Sequence, residues 1–259
     1  MSKSIVVEHA SKRFTMQYTR TIKQMSIAAL RGQRLTDTFL AVNDVSFTVE
    51  QGESIGLMGL NGSGKSTLLS LISGVMRPDE GSVLTRGRIA GLIAAGAGFH
   101  PQLTGRDNLY LNAAILGMSE AETNRKLDQI VDFADIGRFL DVPVGHYSSG
   151  MSARLGFAVA AFAESDIFLA DEVLAVGDRP FKRKCMARME EIKKEGRTLF
   201  YVSHAPGSVR QMCDRALVLV EGRLGFDGPV DEGIRFLKYD DGPQDDVMNQ
   251  EDEDLGADI

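Results

Sequence analysis

Tryptophan is absent from this chain, and cysteine occurs only twice. Cys185 and Cys213 stand without CxxC or Cys/His ligand spacing, which excludes a disulfide framework or a zinc finger; both are expected to be reduced and structural. No apolar run approaches the roughly 18 to 20 residues that a membrane span needs. The N-terminal MSKSIVVEHASKRF also lacks the apolar centre of a signal peptide, so the chain is expected to stay in the cytosol. A basic stripe interleaved with aromatics is missing too, and nucleic acid is not an expected partner.

Positive charge looks scarce, but the formal net charge of −7 is concentrated at one end. Residues 240–259 carry nine Asp/Glu and no Lys/Arg; without them 29 basic residues face 27 acidic ones. Such a tail has little to bury and is expected to be disordered, as a solubilising extension or a docking segment. The remaining 1–239, in a chain that is 43% hydrophobic, is long enough to bury a substantial core as one globular unit.

Alternation marks strands at Ile5-Val6-Val7-Glu8 and Ala41 to Glu50. A short strand, Glu53 to Met58, feeds directly into Gly59-Leu60-Asn61-Gly62-Ser63-Gly64-Lys65-Ser66-Thr67, and a helix follows with Leu68, Leu71 and Ile72 on one face and Gly74 as its stop. Strand, glycine loop and helix in that order form a P-loop: backbone N–H groups converge on nucleotide phosphates, Lys65 reaches the β- and γ-phosphates, and the Ser66 hydroxyl ligates Mg²⁺.

A buried-strand pattern from Asp166 ends in Asp171-Glu172, neighbours that should project differently. Asp171 suits the Mg²⁺ shell and Glu172 the general base that polarises the attacking water. Thr198 to Val202 is a further strand, with Ser203-His204 at its end, where a histidine points into the ligand crevice of a parallel sheet. Phe181 to Lys194 reads as a helix, Ala216 to Val220 as a strand, and Glu221-Gly222-Arg223 as a turn. The fold class is therefore α/β. Between Gly105 and Ala163 the pattern is helical, with a capping box at Ser119-Glu120-Ala121-Glu122, so a helical subdomain at about 100–165 is expected inside the α/β core.

P-loop, Tyr147-Ser148-Ser149-Gly150-Met151, Asp171-Glu172, Ala175-Val176-Gly177-Asp178 and Ser203-His204 resemble, in this order, the ATPase subunit of ABC transporters. The resemblance covers nearly all of the chain to about residue 239. It implies a RecA-like core with an N-terminal antiparallel β-subdomain and an inserted helical subdomain. It also implies a signature loop at Ser148, Ser149, Gly150 and Met151 that caps the ATP held by a second copy, a D-loop aspartate at Asp178, and a switch histidine at His204. The chain should then work as a homodimer on ATP and Mg²⁺, docked peripherally on a multi-span channel subunit at the cytoplasmic face of the membrane.

Ser149 stands where the family has its first signature glycine, Met151 where it has glutamine, and Ala95 where it has the Q-loop glutamine. Phe14, after Lys12-Arg13, matches the aromatic that stacks on adenine. The form YSSGM, with Gly96-Ala97-Gly98-Phe99-His100-Pro101 and Leu103-Thr104-Gly105-Arg106-Asp107-Asn108, is similar to the subgroup that exports lipid-linked cell-envelope polysaccharides of O-antigen, teichoic acid, capsule or galactan type. Some O-antigen exporters add a terminal sugar-binding sandwich of about 100 residues; with an acidic tail of 20 residues after 239, terminal-sugar recognition is not expected of this chain.

A basic insertion from Thr15 to Phe39 places Ile22, Met25 and Ala29 on one helical face; it is expected either beside the membrane subunit and lipid headgroups or as a solvated loop. A drug or lipid cargo is the alternative within the transporter class. A soluble ABC protein of translation or DNA repair usually has two cassettes or a long coiled coil, and neither is present.

Overall fold

Two sheets share one apolar layer, and side-chain alternation decides which residues enter it. The computed structural model describes residues 2–17, 36–91, 98–171, 178–203 and 205–240. Glu172, Ala175 to Gly177, His204, Ala95 to Ala97, the expected helical face of Ile22, Met25 and Ala29, and the tail beyond residue 240 lie outside the described residues.

Strands β1 (Lys3–Gln17), β2 (Thr36–Glu50) and β4 (Glu80–Thr85) form an antiparallel sheet in the order β2-β1-β4. Both long strands continue into the segment expected to be an insertion: Phe14 pairs with Phe39, Thr15 with Thr38 and Gln17 with Thr36. The segment expected from Thr15 to Phe39 thus includes paired residues at both of its ends, and 18–35 lie outside the described residues.

The second sheet has the order β5-β6-β7-β3-β8-β9: β3 (Ser54–Met58), β5 (Ile89–Gly91), β6 (Ile167–Ala170), β7 (Thr198–Val202), β8 (Arg215–Val220) and β9 (Arg223–Pro229). Its pairings are parallel except β8 with β9. Alternation sends Ile55, Leu57, Ile167, Leu169, Phe200, Val202, Leu217 and Leu219 toward the antiparallel sheet and helix α1 (Lys65–Ile72). Phe168, Ala170, Leu199, Tyr201, Ala216 and Val218 face the other way. That second layer holds α2 (Gly105–Ile115), α3 (Glu120–Ala134), α4 (Ser149–Phe162), α5 (Arg179–Lys194), α6 (Pro206–Met212) and α7 (Val230–Asp240). Cys185 and Cys213 are buried free thiols in this layer, and burial pushes both up to about 12, so they stay protonated and inert.

Helices α2 to α4 are the expected helical insertion, leaving the core after β5 and returning at β6. Thr104 and Asp107 close a full capping box on α2. Ser119 caps α3 by accepting from Glu122 N–H at 3.1 Å. The Glu122 carboxylate, expected as the other half of that box, turns mainly to the Arg88 guanidinium (2.9 Å) and the Glu164 N–H (3.0 Å). Arg88 also donates to Leu116 O at 3.0 Å. The ion pair therefore ties α3 of the insertion to the residue that leads into β5 and, through Glu164, to the approach to β6.

Candidate functional site

The loop after β3 has a backbone that only glycine can follow. Gly59 has φ +141° and Gly64 φ +104°. A Cβ at Gly64 would lie 2.1 Å from Ala41 O, and one at Gly59 would lie 2.4 Å from Leu219 O. Both obstacles are main chain, so neither can yield cheaply. Gly64 is also the N-cap of α1, whose first turn carries no acidic residue, so the helix turns its positive end to the loop.

Lys65 opens α1 and is 7% exposed. Its Nζ donates to Gly59 O at 2.7 Å and Leu60 O at 2.9 Å, which draws the ammonium into the mouth of the loop. Beneath it Gly222 N–H donates to Ser63 O at 3.0 Å, so the β8–β9 turn buttresses the loop. The buried Ser63 hydroxyl has no hydrogen-bond partner among the described residues.

An open cavity of about 250 Å³ lies over this loop, lined by Asn61, Gly62, Gly64, Lys65, Ser66 and Thr67, and by Phe39, Ala41, Asp171 and Val202. Sheet order brings them together: β7 lies between β3 and β6, so the carboxyl ends of three adjacent parallel strands supply the P-loop, Val202 and Asp171. Ser66 and Asp171 offer a hydroxyl and a carboxylate, hard oxygen donors that suit Mg²⁺. Among the described residues no cluster of three His, Cys, Asp or Glu exists, so an ion here would take its other ligands from phosphate and water.

The other predicted residues that the structure describes are elsewhere. Phe14 stacks on Phe39 with centroids 5.7 Å apart, and it is Phe39, 45% exposed, that lines the cavity. Sequence reading passed over Phe39, although its position two residues before Ala41, the carbonyl that abuts Gly64, marks it once the pairing is known. Ser148 is the N-cap of α4, its hydroxyl accepting from Met151 N–H at 3.1 Å, and Ser149 is exposed. None of Ser148, Ser149, Gly150 and Met151 lines the cavity. Asp178 caps α5, accepting from Phe181 N–H at 3.2 Å.

A strand, a glycine cradle, a buried lysine at a helix start and a carboxylate two strands away in the cradle's mouth define a P-loop NTPase. Residues 42–175 match the family model described as ABC transporter. The chain is 46% identical over 200 residues to the O-antigen export system ATP-binding protein RfbB of Klebsiella pneumoniae, covering 77% of this chain and 81% of that one. It is 39% identical over 243 residues to the teichoic acids export ATP-binding protein TagH of Listeria monocytogenes serotype 4b (strain F2365), covering 93% and 71%. A solved ATP binding subunit of an ABC transporter superposes with a TM-score of 0.71 at 26% identity, covering 96% of this chain and 98% of that one. The chain belongs to the ABC transporter family, as an ATP-binding subunit that hydrolyses ATP.

Proposed function

We propose that the chain powers export of a lipid-linked cell-envelope polysaccharide, working as a homodimer on ATP and Mg²⁺ against a separate multi-span membrane subunit. The observation that carries the paired arrangement is the separation of two half-sites. The phosphate cradle has a lining that omits the signature turn, while that turn is presented at an exposed helix N-terminus. A second copy would bring Ser148, Ser149, Gly150 and Met151 over the cradle, where their N–H groups and hydroxyls can meet a γ-phosphate. The cargo reading rests on the likeness to RfbB and TagH. No helix among the described residues is long and apolar enough to cross a membrane, so a membrane path would come from a partner.

In this reading the backbone of Gly59 to Thr67 holds the phosphates and Lys65 shifts from the Gly59 and Leu60 carbonyls to the β- and γ-phosphate oxygens. Ser66 and Asp171 would hold Mg²⁺, which neutralises charge on those phosphates. Glu172 takes a proton from the attacking water, and His204 contacts the γ-phosphate or that water.

Phe39 gives adenine its platform, with Phe14 as the ring behind it. Phe39→Ala should therefore raise the KM for ATP about tenfold while leaving kcat nearly unchanged, and Phe14→Ala should do less. Steady-state kinetics on both variants decide it; a larger effect at Phe14 would return the role to that residue.

The function itself is tested by capturing tagged Glu172→Gln protein with ATP from membranes in mild detergent and identifying what comes with it by mass spectrometry. A multi-span protein with a polyprenyl-linked glycan is expected. The same protein with a drug or another lipid would replace the cargo, and ribosomal or DNA-bound partners would end the transporter reading.

A further inference from the structure

We propose that Arg154 is a positioning residue that locks the signature turn to Asp178, so that both approach the second copy's ATP as one rigid edge. The inference rests on the paired arrangement above and assigns the residue that makes it act as a unit.

Arg154 lies on α4 one turn beyond Gly150, on the same stripe of the helix as the signature turn. Its Nη2 donates to Asp178 Oδ1 at 2.9 Å. Its Nη1 lies 3.6 Å from Asp135 Oδ2. The guanidinium carbon is 5.1 Å from the Phe181 ring centroid. The Asp178 oxygen that receives Arg154 is the one that caps α5, and Asp135 is the left-handed C-cap of α3. One side chain thus ties the start of α4 to the start of α5 and the end of α3.

Cohesion does not require this. Phe133, Phe157 and Phe181 already pack these three helices together, with centroids 5.7 to 6.2 Å apart. The arginine adds direction to that contact. Arg154 is 21% exposed against 58% for Asp178 and 80% for Asp135, so neither ion pair alone has much weight in stability. A planar fork can address two carboxylates while lying over a ring; a lysine ammonium can satisfy only part of that geometry.

The test compares Arg154→Met, Arg154→Lys and Asp178→Asn, the last keeping an α5 cap. Three quantities are read: nucleotide affinity of the monomer, ATP-driven dimerisation in the Glu172→Gln background, and kcat at saturating ATP with Glu172 intact. Arg154→Met is expected to leave monomer affinity within about twofold while dimerisation and kcat each fall about tenfold. Arg154→Lys should recover part of the loss. The Arg154→Met/Asp178→Asn double variant should be no worse than Arg154→Met, because both remove one coupling. Dimerisation and kcat equal to the parent's, fully additive effects, or a parallel loss of monomer affinity and melting temperature would overturn the assignment. If the Glu172→Gln parent itself stays monomeric with ATP, the paired arrangement falls and the assignment with it.

Discussion

Lys65→Met is expected to reduce ATP turnover by about 10²- to 10³-fold, the scale on which removal of one preorganised charge donor acts. The residue is nearly buried, and its ammonium is already aimed through the Gly59 and Leu60 carbonyls at the cavity. Moving it onto phosphate oxygens needs a rotation of a flexible stem and no backbone change, because Gly59 and Gly64 hold the loop in a shape that other residues cannot adopt. Methionine keeps most of the volume but leaves the two carbonyls without this donor, which costs about 1–2 kcal/mol. Folding should therefore survive while turnover is lost. Lys65→Arg should not rescue, since a rigid guanidinium fork replaces a compact ammonium in a fitted loop. A steady-state assay with a parallel melting curve measures both; turnover within about fivefold of the parent would remove Lys65 from the mechanism.

The largest effect on stability is expected away from the nucleotide. Glu122 is 5% exposed and pairs with Arg88 at 2.9 Å across the joint between sheet and helical insertion. Glu122→Gln can still accept from Glu164 N–H, but its amide turns a donor toward the guanidinium and leaves a half-buried charge without its counter-ion. The cost should be about 2–4 kcal/mol, somewhat under the range for fully buried pairs, or a fall in Tm of roughly 5–10 °C for a chain of this size.

The pH dependence has a defined sign. Burial pushes the Glu122 carboxyl up, but the Arg88 hydrogen bond, the Glu164 N–H, the charge of Arg88 and, least, the Ser119 N–H outweigh it and hold the group below the ordinary carboxylate value. A lowered folded pKa means stability that is present above the unfolded value, about 4.3, and lost as pH falls through the folded one. The Tm gap between parent and Glu122→Gln should thus be full at neutral pH and close progressively below about pH 4. A gap that stays constant to strong acid would show that the carboxylate's charge is not what stabilises the joint.

The site was legible wherever a few consecutive residues carry the chemistry. Gly59 to Thr67 need particular backbone angles that their own residue types permit, so loop and helix start could be read directly, as could Asp171 at the end of an apolar run. The strands β3, β6, β7 and β8 were legible for the same reason: short, nearly continuous apolar runs record burial on two faces. Sequence reading selects Phe14 and passes over Phe39, because which residue meets the cavity depends on a cross-strand pairing of residues distant in sequence. Glu122 looked like half of a local capping box, while its main partners are Arg88, 34 positions earlier, and Glu164, 42 positions later.

The sequence by itself determined the α/β class, the phosphate loop, the carboxylate behind it and the capped, donor-rich turn at Ser148, since periodicity, glycine dihedrals and capping are properties of neighbouring residues. Only the tertiary structure decided that β7 separates the loop's strand from that of Asp171, that Phe39 stands in front of Phe14, that Arg88 and Glu122 close the joint, and that Arg154 reaches Asp178. Each of these depends on where segments meet in space, and a single chain carries no local mark of a contact that forms only once the sheets and helices have packed.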